Sequence, residues 1–98
     1  MSTTTGYKFM IGSNGVKTSK AEENIIPVTP EKWTYKNYSF YEFQIMNYED
    51  CHISVNDGEY FFLKANRGVY TTINDPKVVS VKFKENSITY EWVGKFGQ

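Results

Sequence analysis

The fold is decided by residues 51–63, CHISVNDGEYFFL. The first five residues alternate apolar and polar side chains, and this period of two is typical of a half-buried strand. Asp57-Gly58 then supplies residues that tolerate the two positive φ angles of a tight type I′ turn. The stretch therefore predicts a β-hairpin with a two-residue loop. Its predicted core face carries Cys51, Ile53, Val55, Tyr60 and Phe62.

Two further stretches show the same alternation. Residues 38–48 predict a strand with Phe43 and Ile45 on one face and Phe40 on the opposite face. Residues 78–92 predict a second hairpin that turns near Glu85 and Asn86. Its predicted cross-strand pairs are Phe83 with Ile88, Val81 with Tyr90, and Val79 with Trp92.

The N-terminal third is more polar and richer in turn residues. Residues 7–11 alternate, residues 12–15 read as a turn, and residues 16–18 are placed to pair back. Two prolines, Pro27 and Pro30, exclude a helix and favour an extended edge segment. We expect residues 1–31 to form an extended arm or edge segment and residues 32–98 to form the sandwich domain.

The arm has two interpretations. Chain termini are often disordered tails. Alternatively, the arm docks within its own chain or on a neighbouring subunit, adding a strand to an open edge. Its apolar side chains favour docking, and the candidate assembly residues are Tyr7, Phe9, Ile11, Ile25 and Ile26.

Length and composition agree with a single all-β domain. The chain has 98 residues, 40% of them hydrophobic and 17% aromatic. Tyr and Phe favour pleated, half-buried surfaces, and the short strands alternate with turns at regular spacing. The sequence predicts a small antiparallel β-sandwich or jelly-roll-like barrel.

The charge balance argues against several partners. Eleven basic and eleven acidic residues give zero formal net charge, without the basic excess that nucleic-acid binding needs. Zero net charge also favours self-association. No apolar run approaches the roughly 20 residues of a membrane span, and the N-terminus lacks a signal-peptide pattern. We expect a soluble protein, made in the cytoplasm, that binds neither membrane nor nucleic acid.

Catalytic and metal-binding residues are sparse. Cys51 and His52 are the single cysteine and histidine, and adjacent side chains on a strand point to opposite faces, so they cannot form a dyad. One histidine and one cysteine do not make a zinc site. The acidic turns at residues 48–50 and 56–59 lack EF-hand spacing and are better read as structural turns. We expect no enzymatic activity, metal or cofactor.

An aromatic stretch is the remaining candidate site. Trp33, Tyr35 and Tyr38 lie among Lys and Asn residues. They are placed to stack on a sugar ring, to anchor a protein interface, or to cover the open end of the sandwich. The sequence leaves all three interpretations open.

Residues 40–94 resemble a small β-domain of phage virion proteins, including head-decoration, fibre and tail-associated components. Three segments carry the resemblance: EDCHISVNDGE at 49–59, FLKANRG at 62–68 and SITYEWVG at 87–94. The matching pattern is a polar hairpin turn, an Ala-Asn-x-Gly loop and a final aromatic-x-Trp-x-Gly segment. The first 38 residues are not part of the resemblance.

The resemblance implies a non-enzymatic structural or accessory role in a phage or phage-like particle, as capsid decoration or at the neck or tail. The expected partners are other virion proteins or further copies of the chain. The expected location is the virion, after synthesis in the cytoplasm of a bacterial host. The alternative is a carbohydrate-binding module that recognises a host-surface glycan through exposed aromatics.

Overall fold

A computed structural model describes residues 8–34 and 37–97, and within these ranges the chain forms strands and no helix. The strands are β1 (Lys8–Gly12), β2 (Lys17–Thr18), β3 (Glu42–Asn47), β4 (Cys51–Val55), β5 (Phe61–Leu63), β6 (Val69–Thr71), β7 (Val81–Phe83) and β8 (Thr89–Gly97). The predicted all-β class is confirmed.

Two antiparallel sheets make up the sandwich. In sheet A the strand order is β1-β8-β3-β6, and β2 also pairs with β8. In sheet B the order is β5-β4-β7. The fold is therefore a small antiparallel β-sandwich, as the sequence predicts. Because β8 is the longest strand, it organises sheet A by pairing with three others.

A single hydrophobic core lies between the sheets. Phe40, Ile53, Val81 and Phe83 are fully buried, and burial of each such side chain contributes roughly 1.5–3 kcal/mol to folding. Gly94 in β8 makes room for the Phe40 ring, because a Cβ at this position would lie 2.5 Å from a ring carbon. The remaining core residues are Ile26, Tyr38, Phe43, Ile45, Cys51, Leu63, Val78, Ile88, Tyr90, Trp92 and Phe96.

The first predicted hairpin exists, but its register differs by one residue. Ile53 lies opposite Phe61, and His52 lies opposite Phe62, whereas the sequence predicted Ile53 opposite Phe62. A shift of one residue exchanges the two faces of a strand. Leu63 is therefore buried, while Phe62 is 57% exposed. The prediction of Phe62 in the core is wrong.

The cause of the shift lies in the turn. Asn56 and Asp57 have φ angles of 54° and 60°, so they, and not Asp57-Gly58, occupy the positive-φ positions. The Gly58 N–H donates to the Val55 carbonyl at 3.0 Å and closes the turn. Residues 58–60 then face residues 54–55, which leaves one extra residue in the returning strand, as in a β-bulge.

The second predicted hairpin does not form. β7 pairs with β4 in sheet B, while β8 belongs to sheet A. The alternating residues nevertheless face one core, since the Phe83 and Tyr90 rings are 4.9 Å apart across the sandwich. Val79 is 42% exposed, so its predicted pairing with Trp92 is also wrong. Apart from Val79, the residues that alternation grouped on one face are all buried, but alternation did not specify the pairing partner.

The N-terminal turn also differs from its prediction. β1 and β2 both pair with β8, and β2 does not fold back on β1. Residues 13–16 bulge out between them, and the Ser13 side chain accepts a hydrogen bond from the Trp92 N–H at 3.1 Å. Asn24 forms an isolated bridge with Lys82 beside β7. The described part of residues 1–31 therefore lies along edges of both sheets.

Phe40 is on the core side, contrary to the alternation through residues 38–48. Its backbone exchanges two hydrogen bonds with Val78, both 2.9 Å, in an isolated bridge outside the named strands. The Tyr41 N–H instead donates to the Lys95 carbonyl in sheet A. The chain bends at Tyr41, before β3 begins, so a single period of two does not extend across residue 41.

Asn47, at the end of β3, joins two connections of the chain. Its fully buried side chain donates to the carbonyls of Glu49 and Lys64 at 2.9 Å and accepts from the Gly68 N–H at 2.9 Å. One amide thus satisfies backbone groups in the β3–β4 turn and the β5–β6 loop. It holds those two connections side by side.

Candidate binding surfaces

The aromatic stretch forms a packed cluster at one end of β8. The Tyr38 ring stacks on Phe40 at 5.7 Å and meets Phe96 edge-on at 4.9 Å. Trp33 packs edge-on against Tyr38 at 5.8 Å and is half-buried. Tyr38 is only 7% exposed, so its ring presents no open face. Tyr35 lies outside the described residues.

The candidate arm residues are placed along the sandwich of their own chain. Ile26 is buried in the core, and Ile11 and Ile25 pack against it. Phe9 stacks on Phe96 at 5.5 Å and remains 52% exposed. Tyr7 lies outside the described residues. The arm is therefore seated on its own chain in residues 8–12 and 25–26, with Phe9 still partly accessible.

Strand β5 is the last strand of sheet B in the described part of the chain, and it exposes two adjacent phenylalanines. Phe61 is 43% exposed and Phe62 is 57% exposed. Phe62 lies on the outer face, where its ring meets the His52 ring edge-on at 5.5 Å. Phe61 lies on the core side, because it is opposite the buried Ile53. Both faces of this edge are therefore apolar.

The outer face of sheet A carries a shallow groove. One depression of about 220 Å³ and a second of about 320 Å³ share Gln44 and Val93 and thus adjoin each other. We call the two together the sheet A groove. Its outward-facing side chains are Met10, Glu42, Gln44, Met46, Tyr48, Tyr70, Glu91, Val93 and Lys95.

The charged groups of the groove are engaged with neighbours. Lys95 Nζ lies 3.5 Å from Glu42 Oε1, on the adjacent strand. The Tyr48 hydroxyl donates to the Glu91 carboxylate, and this hydrogen bond raises the pKa of Tyr48 above its ordinary value. Within the described residues, the Gln44 amide and the Tyr70 hydroxyl have no protein partner. The groove thus combines paired charges with free neutral polar groups.

Cys51 and His52 are separated as expected for neighbours on a strand. Cys51 is buried, and burial, reinforced by the charge of Glu85, raises the pKa of its thiol to about 11. A protonated thiol is a poor nucleophile. The His52 ring lies on the outer face, with Nδ1 2.7 Å from Glu85 Oε2. The thiol and the imidazole therefore have different environments.

In the described ranges, no group of three or more His, Cys, Asp or Glu side chains is arranged to hold a metal ion. In residues 8–34 and 37–97, no helical segment has the length and apolar character that a membrane crossing requires.

Comparison with protein-family models, curated proteins and solved structures found no significant match to this chain.

The sheet A groove was missed by the sequence reasoning. Its central residue, Gln44, has Tyr70 on one side and Val93 on the other, in strands far apart in the chain. An exposed Tyr and an exposed Val at outward positions are a weak signal by themselves. The groove becomes visible only when β3 is known to lie between β6 and β8.

Proposed function

We propose that the protein is a non-catalytic structural or accessory component of a phage or phage-like particle and acts by protein–protein assembly. Its place of action is then the virion, and its partners are other virion proteins or further copies of itself. The observation that carries the assembly role is the pair of adjacent exposed phenylalanines on the edge strand β5.

An apolar strand edge is suited to assembly for two reasons. An edge strand presents unpaired N–H and C=O groups, which another strand can pair with. Phe61 and Phe62 add apolar surface on both faces of that edge. Burial of one phenylalanine contributes roughly 1.5–3 kcal/mol, or about tenfold or more in affinity.

The edge of sheet A supports the same role. β1 is the first strand in the order of that sheet, and Phe9 and Met10 on it are 52% and 60% exposed. Each sheet of the sandwich therefore has an edge with large exposed apolar side chains. The phage context itself comes from the resemblance of residues 40–94 to virion β-domains.

The test is sedimentation of native source material on a density gradient, with the protein detected by peptide mass spectrometry. We expect it to sediment with phage-sized particles in stoichiometric amounts. Phe62→Lys should reduce the particle-bound fraction about tenfold, because it removes the burial of one phenylalanine. The matched control is Val28→Lys, since Val28 is 77% exposed and lies outside β1 and β5.

Recovery of the protein only as a soluble monomer would refute the virion assignment. Particle binding that is equally strong for Phe62→Lys and the control would instead locate the assembly surface elsewhere.

A further inference from the structure

We propose that the sheet A groove binds a neutral oligosaccharide, with Tyr70 as the stacking platform and Gln44 as the central hydrogen-bonding group. This inference goes beyond the assembly role. The groove and the β5 edge, which carries that role, are different surfaces, while Met10 on the β1 edge lines the groove as well. It also places the sugar away from Trp33 and Tyr38.

The groove residues form rows across the sheet. Gln44 lies directly opposite Tyr70 on one side and Val93 on the other. Directly opposite side chains in antiparallel strands have Cβ atoms about 4.5–5.5 Å apart. One sugar ring resting on Tyr70 is therefore within reach of the Gln44 amide. A second row contains Glu42, Lys95 and Met10.

Tyr70 has the exposure that stacking requires. Its side chain is 68% exposed, on the outer face of the edge strand β6. A pyranose has an apolar face of C–H groups, which can pack on an aromatic ring while its hydroxyls remain at the rim. The Tyr70 hydroxyl has no partner within the described residues and can bond to one of them. Tyr38 lacks this exposure.

The polar groups of the groove match a neutral polyol better than a charged ligand. The charged side chains are already engaged, Glu42 with Lys95 and Glu91 with the Tyr48 hydroxyl. The free Gln44 amide both donates and accepts hydrogen bonds, as sugar hydroxyls do. Binding a neutral ligand leaves both existing pairs intact.

The groove is long enough for more than one sugar ring. Tyr48 follows Gln44 by four residues, which corresponds to about 13 Å along an extended chain. The two adjoining depressions extend along this direction and share Gln44 and Val93. A trisaccharide is therefore a suitable probe.

The experiment is a titration of the full-length protein with maltotriose, cellotriose, chitotriose and mannotriose up to millimolar concentration. Binding is followed by proton–nitrogen correlation NMR. We expect at least one of these sugars to shift the backbone amides of β3, β6 and β8 that line the groove. The amides next to Trp33 and Phe62 should remain in place.

Variants identify the contributing side chains. Tyr70→Ala should weaken binding about tenfold, whereas Tyr70→Phe keeps the ring and should weaken it less. Gln44→Ala should weaken binding about fivefold, which corresponds to the loss of one neutral hydrogen bond. The matched control is Val28→Ala, since Val28 is 77% exposed and lies outside the groove, and this change should leave sugar binding unchanged. Unshifted core amides show that each variant is folded.

Three results would overturn the proposal. The first is the absence of shifts with all four sugars. The second is a set of shifts centred on Trp33. The third is a concentration-dependent shift of the groove amides without any sugar, which would make the groove an interface between copies of the chain. Because the assembly test uses Phe62→Lys, the two proposals can fail separately.

Discussion

Two polar turns follow strands of sheet B, and the strands that come after them lie in different sheets. After β4, the turn at Asn56 and Asp57 returns the chain to the same sheet as β5. After β7, residues 84–88 carry the chain across the sandwich to β8 in sheet A. Both turns follow alternating strands that look alike in sequence. We call them the return turn and the crossover turn.

The return turn takes its shape from its own backbone, and the Asn56 side chain also ties it to residues 77–80. Two consecutive positive φ angles reverse the chain, and the Gly58 N–H closes the turn on Val55 at 3.0 Å. Asp57 adds an exposed ion pair with Lys82 at 2.8 Å. The geometry is thus largely specified by residues within the turn.

The crossover turn is held by side chains from elsewhere in the chain. Ser19 Oγ donates to the Glu85 carbonyl at 2.8 Å and accepts from the Ile88 N–H at 3.0 Å, although these residues are 66 and 69 positions away. Glu85 Oε1 accepts from the His52 N–H at 2.9 Å, in place of a strand carbonyl. Local sequence alone therefore cannot specify this turn.

Ser19→Ala should be the most damaging of three changes that test this difference. Ser19 is only 5% exposed, and its loss leaves the Ile88 N–H without an acceptor in a buried position. We expect a loss of about 2–3 kcal/mol in the free energy of unfolding, measured by urea denaturation. Ser13→Ala is the control, because Ser13 makes a similar hydrogen bond to the Trp92 N–H in β8, from a more exposed position. Equal losses would contradict the special role of Ser19.

Glu85→Ala should have an intermediate effect. It removes the acceptor of the His52 N–H and the partner of the His52 ring, so we expect a loss of about 1–2 kcal/mol at neutral pH. Glu85→Gln should lose less, since its amide oxygen can still accept from the N–H. Urea unfolding of both variants and the parent protein measures these losses.

The contribution of Glu85 should depend on pH. Partial burial opposes ionisation, but the hydrogen bonds from His52 outweigh it and hold the pKa of Glu85 below its ordinary value. A lowered folded-state pKa gives stability that is present above the unfolded-state pKa and lost as the pH falls through the folded-state pKa. The gap between the parent protein and Glu85→Gln should therefore shrink below about pH 4. A gap that is constant with pH would contradict this account.

Asp57→Gly should have the smallest effect. Glycine relieves the left-handed backbone at this position but adds freedom to the unfolded chain, and the lost ion pair with Lys82 is exposed. We expect a change within about 0.5 kcal/mol in the free energy of unfolding. Urea titration together with thermal denaturation measures this change in the free energy of unfolding.

Asn56→Gly, at the other positive-φ position of the return turn, gives a direct comparison with Asp57→Gly. It relieves the same backbone conformation but also removes the side-chain hydrogen bonds to the Lys77 carbonyl and the Val79 N–H, both 2.7 Å. It should therefore be about 1 kcal/mol more destabilising than Asp57→Gly. Equal effects would mean that these bonds do not contribute.

Much of the buried face could be read from the sequence. Alternation correctly placed Ile53 on the core face. It also grouped Phe43 with Ile45, and Tyr90 with Trp92, on shared faces, and all four residues are buried. It failed for Phe62, because a bulge after the return turn shifted the register by one residue. It also failed for Phe40, because the chain bends at residue 41, between the isolated bridge of Phe40 and strand β3. Both failures occur where the period of two is interrupted.

The candidate surfaces also differ in how far the sequence alone could identify them. Trp33 and Tyr38 were recognisable as aromatics in sequence, but only their packing against Phe96 shows how little of Tyr38 is accessible. Gln44 and Tyr70 were unremarkable in sequence and are brought together by the pairing of β3 with β6. A surface made from several strands has no local sequence signature.

By itself, then, the sequence determined the all-β class, most of the core face and the approximate position of the return turn. These follow from side-chain periodicity and turn chemistry, which act over a few residues. Tertiary structure alone decided which strands pair, that the chain crosses from sheet B to sheet A between β7 and β8, and which side chains meet in the sheet A groove. The physical reason is that backbone hydrogen bonds are the same for every partner strand, so the choice depends on distant contacts such as those of Ser19 and Asn47.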